Sequence, residues 1–168
     1  FNYKSRNSQI FKNTNLEIKK GEMIGLVGKS GSGKSTLIEL IMGFLKPSKG
    51  EILIDNKNIF QHLREWRNQL GYVAQKNYIE DGTILSNIAL GLSEKNINLD
   101  QIDACVDVAQ LNLFTKDLDK GLKTKVGERG IQLSDGQRKR IAIARALYSN
   151  PQILFLDEAT NSLDKDTE

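Results

Sequence analysis

The octapeptide Gly28-Lys29-Ser30-Gly31-Ser32-Gly33-Lys34-Ser35 constrains this chain more than any other stretch. It fills every fixed position of the phosphate-loop pattern G-x-x-x-x-G-K-[ST]. Such a loop wraps phosphates with backbone N–H groups, and its glycines permit the conformations and the close approach this needs. Lys34 then reaches the β- and γ-phosphates of a nucleotide, and the Ser35 hydroxyl is offered to Mg2+. The flanks agree. Glu22 to Val27 reads as a buried strand before the loop, and Lys34 to Leu45 as a helix after it, stopped near Pro47. The helix therefore aims its N-terminus, the end that favours anions, at the phosphates. Strand, loop, lysine, hydroxyl and helix fall in order, which outweighs a glycine-rich turn without a ligand.

The 168 residues read as one domain, 1–168, long enough to bury a core. A net charge of +3 with both signs spread along the chain gives no argument for nucleic acid or a membrane surface. The single cysteine, Cys105, excludes an internal disulfide and fits a reducing compartment. It lies in a helical pattern, where packing outweighs thiol reactivity. No apolar run approaches the ~18 residues of a membrane span. The chain opens on Phe1-Asn2-Tyr3 rather than an initiator, so we expect a piece of a larger gene product.

The element pattern is α/β. Strand-like segments are Thr14 to Ile18, Glu22 to Val27, Glu51 to Ile54, Leu70 to Ala74 and Gln152 to Asp157; helical patterns fill Lys34 to Leu45, Thr83 to Leu90, Leu99 to Ala109 and Ser134 to Ser149. Ile153 to Leu156 is apolar on both faces, as a central parallel strand covered by helices on both sides would be. The helical middle reads as an inserted subdomain, approximately 81–149, with polar loops at Ser93 to Asn98 and Lys116 to Lys123 for a partner.

Two more constellations follow. The apolar strand ends in Asp157-Glu158, at the carboxyl edge where α/β sheets bind ligands. Asp157 suits Mg2+, directly or through water, and Glu158 suits general-base work or polarisation of an attacking water. Strands often end in acids, so the pair gains its force from the complete phosphate loop. Leu133-Ser134-Asp135-Gly136-Gln137 then opens a basic helix with a good N-cap serine. The helix offers a positive end, a hydroxyl and a glycine backbone to an anion, although in isolation the segment reads as a capped surface helix with a basic first turn.

Together these residues closely resemble the nucleotide-binding domain of ABC ATPases, across essentially the whole chain. Gly28 to Ser35 matches Walker A, and Ile153 to Glu158 matches Walker B with its catalytic glutamate. Gln75 matches the Q-loop glutamine, Leu133 to Gln137 the signature, and Ser162-Leu163-Asp164 the D-loop. Tyr3 sits where the family has an aromatic that stacks on adenine; the alternative is a core strand aromatic. Val126-Gly127-Glu128-Arg129-Gly130 resembles the segment of ABC exporters that lies near the intracellular loops of the membrane domains. Ile41-Met42-Gly43 and Ala144 to Tyr148 resemble bacterial exporters that flip lipid-linked saccharides, with peptide, lipid and drug exporters reading much alike.

The resemblance implies a P-loop NTPase fold: a mostly parallel central sheet flanked by helices, an N-terminal antiparallel β portion and the inserted helical subdomain. It implies ATP and Mg2+ as ligands. ATP would lie on Tyr3 and on Gly28, Lys29, Ser30, Gly31, Ser32, Gly33, Lys34, Ser35 and Thr36. Mg2+ would lie on Ser35, Gln75 and Asp157. Glu158, Lys34 and Gln75 would serve catalysis. Two domains would pair head to tail as a homodimer, with Ser134, Gly136, Gln137 and Asp164 of each capping ATP on the other. Closure would position the phosphates for in-line attack, and Gln75 would report the state to transmembrane domains. The implied place is the cytoplasmic face of a membrane, and the implied activity is ATP-driven export without nucleic acid. The alternative is a soluble ABC-type ATPase acting on DNA or the ribosome; the first kind carries a long coiled coil that this sequence lacks, and the second kind lacks the segment Gly127 to Gly130.

Three departures stand out. Asp135 replaces a signature glycine, adding negative charge that opposes closure unless it points away. The aromatic after the Q-loop is displaced within Tyr78 to Gly82. The chain stops at Glu168, before the family's switch histidine, so binding is expected to exceed hydrolysis; His62, the only histidine, precedes the Q-loop and reads as a surface residue.

Overall fold

The computed structural model describes residues 1–3 and 9–157. The chain divides into two compact units, Phe1–Arg67 and Asn68–Glu168.

The first unit is organised around α1 (Lys34–Ile41). The helix stops before Pro47 and before the expected Leu45. Gly43 takes φ 73°, its amide donates to Leu40 O at 3.0 Å, and the Phe44 amide donates to Glu39 O at 2.8 Å. This left-handed glycine cap satisfies the last carbonyls of the helix and turns the chain out of it. A hairpin of β1 (Leu53–Ile54) and β2 (Lys57–Asn58) follows, antiparallel. Its turn residues Asp55 and Asn56 have φ 48° and 62°, the left-handed pair that a tight hairpin favours. α2 (Leu63–Arg67) closes the unit. Trp66 is buried and donates its indole N–H to Ile41 O at 2.8 Å, while Arg67 donates to Gly43 O at 2.6 Å, so α2 is clasped to the end of α1.

Two strand expectations fail here. Neither Thr14 to Ile18 nor Glu22 to Val27 forms a ladder among the described residues. Met23 is 100% exposed and Val27 98%. Alternation identifies an apolar face, but a strand also needs a neighbour for its amides, and this segment has none among the described residues.

The second unit opens with β3 (Leu70–Val73), which pairs in parallel with β4 (Ile153–Leu156), Leu70 against Ile153 through Val73 against Leu156. Between them lie α3 (Ile84–Ile88), α4 (Leu99–Val108), α5 (Asn112–Thr115) and α6 (Asp135–Tyr148). Caps set the starts of three of these helices. Thr83 and Ser86 exchange side-chain and backbone bonds at α3, Ser134 and Gln137 do so at α6, and the Asn98 side chain accepts from Gln101 N at α4. The core gathers Ile79, Ile84, Ile88, Ile102, Leu111, Val126 and Ile141. Cys105 lies in it, and burial pushes its thiol pKa up, as a packing residue requires. A smaller cluster of Val73, Ala142 and Ala146 seats α6 on β3. The expectation of a strand covered on both faces is not met: Ile153, Leu154 and Leu156 of β4 remain exposed. Among the described residues the ladder has two strands, and α6 packs on β3 rather than over β4.

Candidate functional site

In the first unit the phosphate loop meets α1 at Gly33, whose φ of 98° is one that glycine tolerates at little cost. A Cβ there would also come within 2.9 Å of Ile10 Cγ2 and 3.1 Å of Phe11 Cζ. With glycine as the N-cap, no side chain caps α1, and its opening amides face the loop. Gly31 is likewise left-handed, φ 77°. Lys34 Nζ donates to Gly28 O at 2.8 Å and Lys29 O at 3.2 Å, so its ammonium lies against the start of the loop. The Ser32 amide donates to Lys29 O at 3.1 Å and closes the loop on itself. Ser30, Ser32 and Ser35 are exposed, and Thr36 is buried. An uncapped helix N-terminus, an ammonium and an exposed hydroxyl fit a polyphosphate with its Mg2+.

Tyr3 is tied to the same helix. Its hydroxyl donates to Glu39 Oε2 at 3.4 Å and pairs with the Thr36 hydroxyl at 3.2 Å. Its ring meets Phe1 edge to face, centroids 5.1 Å apart. It is half-buried and lies outside any strand.

The second unit brings together residues distant in sequence. Asp157 directly follows β4, and its amide donates to Val73 O at 2.9 Å. Gln75 follows β3 by two residues. The parallel ladder therefore delivers Asp157 and Gln75 to one edge of the sheet, the carboxyl edge. A groove of about 390 Å³ is lined by Gln75, Lys76, Asn77, Asp135, Arg138 and Lys139, which puts Gln75 beside the start of α6. There Ser134 Oγ accepts from the Gln137 amide at 3.2 Å, and Gln137 Oε1 accepts from the Ser134 amide at 2.9 Å. The reciprocal cap uses acceptors only, which leaves the Ser134 O–H and the Gln137 NH2 as donors for an anion. Gly136 follows in the first turn of α6. Glu158 and Asp164 lie outside the described residues. His62 is on the surface, 3.5 Å from Glu65.

The sequence profile of the ABC transporter family matches residues 11–161. The chain belongs to the ABC transporter family. It is an ATP-binding domain of that family. It is 47% identical over its whole length to ABC transporter B family member 13 of Arabidopsis thaliana, of which it spans 13%. It is 45% identical, again over its whole length, to the α-hemolysin translocation ATP-binding protein HlyB of Escherichia coli O157:H7, of which it spans 24%. A solved bacterial Atm1-family ABC exporter with ATP bound superimposes with a TM-score of 0.74 at 42% identity, over 83% of this chain and 24% of that one. The fold of the ABC domain is thus that of P-loop NTPases, and the chain spans about a quarter or less of the relatives it matches.

Arg138, Arg145 and Asn87, to which motif reading gave no role, are prominent in this ABC domain. Arg138 donates to Gly130 O at 3.1 Å, Leu133 O at 2.6 Å and Asp135 Oδ1 at 2.5 Å. Asp135, 80% exposed, is therefore paired with a guanidinium one turn away. Gly130, φ 69°, leaves no room for a side chain, since a Cβ would sit 2.9 Å from Ile79 Cγ2. Arg145, half-buried, and Asn87, buried, form a polar contact between α6 and α3. Their signal in the sequence is an arginine inside the apolar run Ile141 to Leu147 and an asparagine inside Ile84 to Ile88.

Proposed function

We propose that this domain binds and hydrolyses ATP to power a membrane exporter, working as a head-to-tail pair on the cytoplasmic face. The observation that carries the reading is the loop at α1: an uncapped helix N-terminus at one end and the Lys34 ammonium against the other. The ATP bound in the Atm1-family structure and the translocation proteins among the relatives support it. These relatives favour export over action on DNA or the ribosome.

The roles follow from the chemistry of each group. Residues 28–36 hold the phosphates, Lys34 supplies the cation against them, and Tyr3 takes the adenine. Ser35, Gln75 and Asp157 are assigned to Mg2+. When bound, Mg2+ neutralises the charge that grows on the phosphate oxygens. Glu158 orients the attacking water and accepts its proton. Ser134 and Gln137 donate across the pair to the partner's ATP, with the Gly136 amide beside them and Asp164 linking the two sites.

The test is equilibrium ATP binding and steady-state phosphate release by the full-length protein. Lys34→Ala should weaken ATP binding at least about tenfold, because it removes a charge-assisted contact to phosphate. Unchanged binding and turnover in Lys34→Ala would remove this loop from the reaction.

A further inference from the structure

The loop that carries Gln75 is fastened to α6 at both ends. On its N-terminal side, β3 packs Val73 against Ala142 and Ala146. Gly71 lies so close that a Cβ would stand 2.8 Å from Ala146 O. On the C-terminal side, Arg145 of the same helix donates NH1 to Tyr78 O at 2.7 Å. The loop 74–77 is thus strung between two anchors on the helix whose first turn holds Ser134, Gly136 and Gln137.

The second anchor is built with care. Asn87 is 0% exposed, and its amide is fully engaged. Nδ2 donates to Glu80 O at 2.9 Å and Thr83 O at 3.0 Å. Oδ1 accepts from the Glu80 amide at 2.9 Å and Arg145 NH2 at 3.1 Å. Arg145 Nε donates to Asn87 O at 2.7 Å. One guanidinium therefore bonds the segment after the Q-loop and α3 together through its rigid fork. Burial pushes the Arg145 pKa down, with Glu80 and Tyr78 pulling it back up. Taking a guanidinium out of water is costly, and an apolar side chain of similar volume would pack at less expense. The directional bonds to Tyr78 O and Asn87 are what an apolar side chain cannot supply.

We infer that Arg145, with Asn87, is a positioning residue that holds the Gln75 loop in register with the signature end of α6. Gln75 and the partner-facing donors Ser134 and Gln137 then move as one body. This rests on the ATPase reading of Gln75 given above. Arg145 acts through the Tyr78 carbonyl on the loop's geometry and touches no nucleotide itself.

The experiment is steady-state ATPase kinetics of the full-length protein with Arg145→Lys, Arg145→Gln, Gln75→Ala and the double variant Gln75→Ala/Arg145→Lys. Thermal midpoints are measured alongside. A lysine keeps the charge and one carbonyl bond but loses the fork, and it stands in where Arg145→Gln does not fold. In Arg145→Lys we expect kcat to fall roughly ten- to a hundredfold, as misplacement of a catalytic group does, with KM for ATP within about twofold. In the Gln75→Ala background the same change should add less than about twofold, because both lesions act through one loop. Three results would overturn the inference: an unchanged kcat in folded Arg145→Lys, a KM that rises in step with a falling thermal midpoint, or losses that multiply in the double variant. Failure of the underlying reading looks different. Lys34→Ala would then turn over ATP at the parental rate.

Discussion

Asp135 stands where the resembled family has a signature glycine, and its carboxylate would oppose a partner's phosphates. The structure gives it a counter-charge instead, the Arg138 guanidinium at 2.5 Å. The pair sits on one face of α6 at i and i+3, where side chains meet. An exposed pair of this kind adds little to stability, so its effect belongs to the field at the site. In ATP-dependent dimerisation of the hydrolysis-deficient full-length protein, Arg138→Gln should weaken association about fivefold, the effect of ~1 kcal/mol of uncovered repulsion. Adding Asp135→Gly should restore it, as sedimentation can measure. No recovery in the double variant would mean that Arg138 acts through Gly130 and Leu133 alone. The identity of Asp135 was plain in the sequence, but its partner was not. Arg138 is one of three successive basic residues, and the helix phase leaves both Arg138 at i+3 and Lys139 at i+4 within reach of Asp135.

Elements were legible where local chemistry writes their ends. α4 and α6 match their expected spans to within a residue or two, because Asn98 and Ser134 announce their caps. α1 stops ahead of the expected Pro47, since the glycine cap at Gly43 acts first. The hairpin partner Lys57–Asn58 was missed although Asp55-Asn56 is a left-handed turn pair, a signal present in the sequence. α2 was not legible. It is one short turn held by the Trp66 and Arg67 bonds to the end of α1, which is tertiary information. The contact of α6 on β3 is not legible in the sequence either, since Gly71 lies inside the expected strand Leu70 to Ala74 with nothing to mark the helix that packs on it. Gly71→Ala would drive a methyl to 2.8 Å from Ala146 O, 2.9 Å from Leu154 Cδ1 and 2.9 Å from Pro151 Cγ. The first of these is backbone and yields least. We expect a loss of about 1–3 kcal/mol in denaturant unfolding, the usual cost of overpacking. A loss below about 0.5 kcal/mol, the range of ordinary surface changes, would show that α6 slides freely on the sheet.

In the proposed reading the chemistry is divided between two units. The first supplies the phosphate loop with Lys34, Ser35 and Tyr3. The second supplies Gln75, Asp157 and the signature, drawn to one sheet edge and one helix end by the parallel pairing of β3 and β4. Fixed spacings let the sequence propose the phosphate loop, the Walker B pair and the signature, because phosphate chemistry tolerates few alternatives at those positions. The polar contacts of Arg138, Arg145 and Asn87 were not readable in the same way, since their partners are backbone carbonyls and one carboxylate that no sequence pattern marks. The proposed hydrolysis turns on Glu158 at the reacting water. Its most direct test is phosphate release and ATP retention by the full-length protein carrying Glu158→Gln. ATP should be retained, the ATP-bound dimer should be stable, and release should slow by roughly a hundredfold or more, as loss of a general base does. Phosphate release at the parental rate would contradict this role of Glu158.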